Sequence, residues 1–311
     1  MILLWGVPSD PTLAAVERAL VRRRAPYAFL DQRAAATTEI ELRIDSDAHG
    51  ARVRGALRVD ADTLDLERVR SAYPRPGGPD PVDAAAPEAA REAAHRHAAA
   101  LREALSIWLD LTPALVLNRP AAMAFNYSKP HQASLIEAAG FAIPETLLTT
   151  DAHAARAFRE RHGEVVYKSV SAVRSIVARL RPEDSARLAD VSWCPTQFQR
   201  RVAGTDVRVH VVGERVFACE IVSGADDYRY APLTGDDVEI RPIDLPEDCA
   251  RRCRALAARM GFAIAGIDLR HEAGAWCCFE ANPSPGFSYY EQRTGQPIAE
   301  AVAALLCDAC G

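Results

Sequence analysis

Two apolar runs near the C-terminal end constrain this chain more than any other feature. Ile264-Ala-Gly-Ile-Asp-Leu carries Asp268 in its interior, and Trp276-Cys-Cys-Phe-Glu ends on Glu280. A carboxylate inside a strand-patterned apolar run needs a partner, because an unpaired charge is costly to bury. Asn282 follows Glu280 by two residues, so on extended backbone the two side chains point the same way. If the two strands pair, three oxygen donors converge on one face. Hard oxygen donors at that density suit Mg²⁺, which keeps waters and takes further ligands from phosphates. The alternative is a buried Asp268 satisfied by backbone donors, with Glu280 and Asn282 in a turn.

The chain has 311 residues, enough for about two domains or one large composite one. With 49% hydrophobic and 25% charged residues it can bury a sizeable core. A net charge of -5 argues against a nucleic-acid partner bound through bulk positive charge. No apolar stretch reaches about 18 residues, so no membrane-spanning helix is expected. The opening Met1-Ile-Leu-Leu-Trp-Gly-Val lacks a basic flank and breaks at Pro8-Ser9-Asp10, which reads as a buried strand rather than a signal peptide. Eight cysteines without an export signal read as reduced thiols in a cytoplasmic protein.

Along the chain, Ile2 to Val7, a helix capped by Thr12 and running to Val21, and Tyr27 to Leu30 form a βαβ-like opening. Glu39–Asp45 and Ala51–Val59 alternate with period two and read as a hairpin. Tyr73-Pro-Arg-Pro-Gly-Gly-Pro-Asp-Pro reads as a loop, because proline and glycine oppose a regular ladder. An Ala-rich helix follows, from about Pro87 to Leu109. Ser128–Ala139 is helical and stopped by Gly140. Val165–Ser169 and Ser175–Leu180 read as hairpin arms. Thr196–Gln199, Asp206–Val212 and Arg215–Val222 are strands, Leu245–Met260 is a helix, and Pro297–Leu306 is a last amphipathic helix.

Lysines are scarce, so their placement carries weight. Lys168 closes the apolar strand Glu164-Val-Val-Tyr-Lys, where an inward cation needs an anion such as a nucleotide phosphate. Lys129 opens a helix, where a bound phosphate would receive the ammonium and the helix N-terminus together. The alternative for both is a solvated lysine. Thr196-Gln-Phe-Gln ends in a turn at Gly204, and a new strand carries Asp206 and Arg208 on one face. A strand end of this kind can offer backbone groups to an adenine edge. Asp206 can accept from ribose hydroxyls, and Arg208 can stabilise charge on a transferring phosphoryl group. In isolation the favoured reading of this stretch is an exposed hairpin with an Asp–Arg pair.

The order of these elements resembles the ATP-grasp superfamily of carboxylate–amine ligases, nearest to its RimK-like members. Asn282-Pro-Ser-Pro-Gly286 has the RimK-like form, and the resemblance covers about residues 110–311. Tyr73-Pro-Arg-Pro with its following helix, Pro120-Ala-Ala-Met-Ala-Phe-Asn-Tyr-Ser-Lys-Pro and Pro144-Glu-Thr-Leu-Leu-Thr-Thr are similar to the graspetide (microviridin-type) peptide-maturation ligases. The fold class implied is α/β (α+β). An N-terminal pre-ATP-grasp βαβ domain would span 1–118. A two-lobed ATP-grasp fold would follow, with a small central lobe at 119–190 and a C-terminal lobe with the metal site at 191–311. By this resemblance Asp268, Glu280 and Asn282 hold two Mg²⁺ ions, with Mn²⁺ as a substitute. Lys129 and Lys168 contact ATP phosphates, Gln197, Phe198 and Gln199 line the adenine pocket, and Asp206 sits near the ribose. Arg208 acts on an acyl-phosphate intermediate, with Lys168 beside it in catalysis. The hairpin Ser169-Val-Ser-Ala-Val-Arg-Ser lacks the family's usual phosphate-covering glycines; serine amides and Arg174 are the available substitutes.

The activity implied is ATP-dependent ligation of a carboxylate to an amine or hydroxyl, most naturally on a ribosomally made peptide. A ligase for free amino acids or a protein C-terminus is the near alternative. A non-catalytic nucleotide-binding regulator is the alternative from another class. The partner is a peptide or amino acid, with neither nucleic acid nor membrane, and a homodimer is left open. Phe287, Tyr289, Tyr290 and Arg293 follow the acidic site and read as substrate pocket or packing. Cys307-Asp-Ala-Cys310 lacks a second ligand pair and reads as reduced thiols, and His95-Arg-His97 as a solvated helix face.

Overall fold

The computed structural model describes residues 1–47, 50–78, 87–127, 129–170, 177–223 and 237–310. The N-terminal lobe is a parallel sheet with strand order β2-β1-β6-β7: β1 (Ile2–Gly6), β2 (Tyr27–Asp31), β6 (Ser71–Arg75) and β7 (Leu115–Val116). Helix α1 (Pro11–Arg22) crosses between β1 and β2. Its cap is Asp10, whose carboxylate accepts from Leu13 N–H at 2.7 Å. Thr12, the expected cap, lies inside the helix and is buried, 3.2 Å from the Ser288 hydroxyl.

Tyr73-Pro74-Arg75 is not a loop but the end of β6, a strand between β1 and β7. The sheet tolerates Pro74 for a geometric reason. Arg70 and Ala72 turn their carbonyls toward the β7 side, accepting from Leu115 and Leu117. Pro74 faces the same side two residues on, where β7 has ended, so its missing N–H breaks no ladder bond. The end of the expected loop, residues 79–81, lies outside the described residues.

The expected hairpin is β3 (Thr38–Asp47) and β4 (Gly50–Val59), extended by β5 (Asp62–Asp65). Its apolar face, with Leu57 and Val53, packs under α2 (Glu88–Leu111) through Leu101, Leu105 and Trp108. A short turn, α3 (Pro120–Met123), then leads to α4 (Lys129–Ala138).

The central lobe is an antiparallel sheet, order β10-β9-β11-β8: β8 (Thr146–Thr149), β9 (Val165–Ser169), β10 (Ala178–Arg179) and β11 (Thr196–Arg200). Helix α5 (Ala152–His162), capped by Asp151 through His153 N–H at 2.8 Å, covers it. By sheet membership this lobe runs to Arg200, past the boundary at 190 that the sequence suggested. Residues 171–176, with Arg174 and the serine-rich turn, lie outside the described residues.

The third unit is a five-stranded antiparallel sheet in the order β14-β13-β12-β15-β16. Its strands are β12 (Asp206–Val212), β13 (Arg215–Ser223), β14 (Val238–Ile243), β15 (Ile264–Glu272) and β16 (Ala275–Asn282). One face buries Val207, Val209, Val211, Ile267 and Leu269 against Ile136 of α4 and Cys253 and Leu256 of α6 (Glu247–Arg259). So α4, expected in the small lobe, packs on the large sheet. Helices α7 (Ser288–Thr294) and α8 (Ile298–Asp308) close the chain. Val302 and Leu306 of α8 share a core with Leu4, Leu13 and Ile264, joining the N-terminal lobe to the large sheet. No helix among the described residues is long and apolar enough to cross a membrane.

Candidate active site

The face of the large sheet opposite α4 and α6 carries the acidic and basic residues. Alternation along β12 sends the valines to the helices and Asp206, Arg208 and His210 to the other side. Across the sheet Arg208 pairs with Asp268, and Asp268 with Glu280; His210 pairs with Gly266, and Gly266 with Asn282. The strand pairing on which the three-oxygen reading depends is therefore present.

A bulge sets the last step of this register. Leu269 pairs with Cys278 but Asp268 pairs with Glu280, leaving Phe279 as the extra residue. Cys278 and Ala281 both sit in the helix-side core, which an unbroken period of two forbids. The bulge resets the phase so that Glu280 stands beside Asp268. Phe279 meets Arg270, whose guanidinium carbon lies 5.7 Å from the ring centre.

Arg208 is buried, and its Nη1 donates to Asp268 Oδ1 at 2.7 Å. The Tyr290 ring lies 5.6 Å from its guanidinium carbon. His210 is also buried, with its ring centre 5.0 Å from that of Tyr290 and 6.4 Å from that of Phe287. Burial, and then the neighbouring Arg208 charge, hold its pKa well below the ordinary imidazole range. Cys219 faces Arg208 from β13, and burial pushes its thiol up to about 11. Cys277 is likewise pushed up to about 11 by burial, and Cys278 upward for the same reason. Burial thus favours the protonated form of all three thiols.

Asp206 is held by Arg270 in a two-pronged ion pair, Nε to Oδ1 at 2.7 Å and Nη2 to Oδ2 at 2.9 Å. Arg270 Nη1 also donates to the Val202 carbonyl at 2.7 Å. Glu272 accepts from Ala203 N–H at 2.7 Å and pairs with Arg200 at 2.9 Å. A Cβ on Gly204, whose φ is 106°, would fall 2.4 Å from the His271 carbonyl oxygen. The linker from β11 to β12 is thus pinned to the end of β15.

In the central lobe Lys168 lies opposite Gln197 across β9 and β11. Gln197 is buried, and Gln199 Nε2 donates to the Thr146 hydroxyl at 3.0 Å. Phe198 corrects the sequence reading. Its side chain belongs to the lobe's core with Val165, Leu180 and Val191, so only its backbone is available to a pocket on the Gln197 face. Lys129 begins α4, the helix packed on β16.

Three side chains that sequence reasoning missed, the buried Gln132 and Asn118 and the partly buried Arg75, grip the segment around Asn282. Gln132 exchanges two hydrogen bonds with the backbone of Ala281, each 3.0 Å. Asn118 donates to the carbonyls of Pro283 at 2.6 Å and Ile264 at 2.7 Å, and accepts from Ala263 N–H at 2.7 Å. Arg75 Nη1 donates to the Ser284 hydroxyl and the Pro285 carbonyl, each at 3.1 Å, while its other nitrogens face Asp10. One signal was available: Gln132 stands four residues before the buried Ile136, on the same helical face.

Comparison with known proteins agrees with this layout. The RimK-like ATP-grasp domain matches residues 129–306, more than half of the chain. A protein of Alkalilimnicola ehrlichii described as a probable alpha-L-glutamate ligase is 30% identical over 145 residues, 46% of each chain. The chain thus aligns with about half the length of such curated relatives. The ATP-grasp ligase PsnB, solved with a variant minimal precursor, Mg and ADP, superposes with a TM-score of 0.78 at 25% identity, covering 100% of this chain and 98% of that one. A Chryseobacterium gregarium RiPP-associated ATP-grasp ligase, solved with ADP and leader and core peptides, gives 0.80 at 20% identity, covering 99% and 96%. The macrocyclase MdnC of Microcystis aeruginosa, bound to precursor peptide MdnA, gives 0.78 at 20%, covering 99% of each chain. The fold shared with these ligases includes the N-terminal lobe, and this chain belongs to the RimK-like ATP-grasp family.

Proposed function

We propose that the protein is an ATP- and Mg²⁺-dependent ligase that activates a carboxylate as an acyl phosphate and joins it to an amine or hydroxyl on a ribosomally made peptide. The observation that carries this reading is the cross-strand row Arg208, Asp268, Glu280, with Asn282 one step along the same face. Three oxygen-bearing side chains on one sheet face form a hard donor set that fits Mg²⁺. Asp268, Glu280 and Asn282 would hold the ions, which when bound offset the charge of the phosphate oxygens.

The chain's own residues supply the remainder. Arg208, buried beside Asp268, places a fixed positive charge where the acyl phosphate would form. Lys168 and Lys129 are the cations for the nucleotide phosphates. Gln197, the backbone of Phe198, and Gln199 flank the linker where adenine would bind, with Asp206 at its mouth. Attack by a substrate carboxylate on the γ-phosphate releases ADP. Attack by the amine or hydroxyl on the acyl carbon then expels phosphate, and no protein nucleophile is required. A peptide substrate is supported by the solved ligases that match the whole chain and carry precursor peptides. Addition of glutamate is the second reading, favoured by the curated relatives. The chain is expected to work in the cytoplasm, and a homodimer is compatible with the reading.

Mass spectrometry of a candidate precursor peptide incubated with the protein, ATP and Mg²⁺ tests the proposal. Loss of one water per bond is expected. Gain of glutamyl mass would select the second reading, and ADP release independent of any acid and nucleophile would defeat both. Glu280→Gln with unchanged turnover would remove the metal assignment.

A further inference from the structure

We infer that Gln132 is a positioning residue for the metal ligands, holding Glu280 and Asn282 in register by acting as the missing neighbour of an edge strand. This rests on the reading of Asp268, Glu280 and Asn282 as Mg²⁺ ligands.

Among the described residues β16 is the outermost strand of its sheet, and no full strand there pairs with its outer backbone groups. Near its start they are met by Ala142, whose N–H donates to Trp276 at 3.0 Å and whose carbonyl accepts from Cys278 at 2.9 Å. At its end the Gln132 amide takes over. Nε2 donates to the Ala281 carbonyl and Oε1 accepts from the Ala281 N–H, each at 3.0 Å. A primary amide presents a donor and an acceptor side by side, as a strand residue does. Gln132 is 1% exposed, so water cannot replace it.

Ala281 is the residue between Glu280 and Asn282, and its side chain points into the opposite core. Fixing both its backbone groups fixes the direction in which each neighbour projects. The constraint matters here because the bulge at Phe279 has just interrupted the ladder on the inner side. Gln132 also stands three residues after Lys129 on α4, so one helix sets the metal ligands and the first phosphate lysine relative to each other.

The test compares Gln132→Met with wild type in the full chain, using Mn²⁺ binding in the presence of ADP as the probe, read by electron paramagnetic resonance. Loss of a residue that orients metal ligands weakens metal binding by tenfold to a hundredfold. We expect that loss in Mn²⁺ affinity, with ADP affinity in the absence of metal unchanged. The Mg²⁺ concentration for half-maximal turnover should rise, and turnover should recover at saturating Mg²⁺. Ile136→Val, one turn along on the same face of α4, should move none of these. Mn²⁺ affinity within twofold of wild type in folded Gln132→Met overturns the inference alone. Absence of Mn²⁺ binding by wild type with ADP overturns the metal assignment beneath it. If Gln132→Met does not fold, wild-type hydrogen exchange decides: slow exchange at Ala281 N–H supports the clamp, and fast exchange overturns it.

Discussion

Gly266 lies directly across from His210, and a Cβ built on it would fall 2.1 Å from Nη2 of Arg208 and 2.7 Å from Pro285 Cβ. The glycine is therefore the space that the guanidinium occupies. Gly266→Ala must push Arg208 away and strain its 2.7 Å bond to Asp268. Overpacking of this kind costs about 1–3 kcal/mol. With Arg208 in its proposed role at the acyl phosphate, displacing its charge should cost about 10²-fold in turnover. Thermal unfolding and a steady-state ADP assay check both, and turnover at the wild-type level would contradict the placement of Arg208.

Arg208→Lys separates charge from shape. The buried guanidinium reaches Asp268 through Nη1 while Nε faces His210 at 3.5 Å and the plane meets Tyr290. An ammonium keeps the charge but not the fork or the flat face. Turnover should fall at least tenfold while ATP binding changes by less than threefold. Equal losses in both would place Arg208 in nucleotide binding instead.

Four of the five strands of the large sheet were readable in the sequence, because Asp206–Val212 alternates valine with polar or charged residues and Asp268 and Glu280 stand in apolar runs; β14 carried no such signal and was not read. Pro74 and Phe198 were misread for opposite reasons. Pro74 is a strand residue because β7 stops short of it, a fact of neighbour length that no local pattern carries. Phe198 sits between two glutamines expected to face a nucleotide, and the period of two sends it to the other side. Gln132 and Asn118 act on backbone more than 140 residues away, and nothing in their own segments says so.

His210 gives a pH dependence with a definite sign. In the unfolded chain its imidazole takes up a proton near about pH 6.5. In the folded chain burial and the adjacent Arg208, whose Nε lies 3.5 Å from its Nε2, keep it neutral well below that, with the Tyr290 and Phe287 rings also beside it. Below about pH 6.5 the unfolded state binds the extra proton, so stability falls as pH falls, with a slope approaching about 1.4 kcal/mol per pH unit. Denaturant unfolding between about pH 5 and 7.5 should show this component, and His210→Gln should flatten it. An unchanged slope in the variant would mean that another group carries the dependence.

Asp206 was expected beside a ribose, yet both its oxygens are engaged by Arg270, which also holds the Val202 carbonyl in the linker between the lobes. The side chains are 25% and 15% exposed, so the pair is worth less than a fully buried one. Removing one partner from a wholly buried pair costs about 3–5 kcal/mol. Asp206→Ala should therefore lose about 1–3 kcal/mol, mainly because Arg270 is left without its carboxylate. In Asp206→Ala/Arg270→Met no charge is stranded, and methionine keeps an apolar contact with Phe279. The double variant should regain most of the lost stability in urea unfolding. If it is no more stable than Asp206→Ala, the ion pair is not what Asp206 provides. If stability returns while the KM for ATP stays several-fold raised, Asp206 has a second contact with the nucleotide beyond its bond to Arg270.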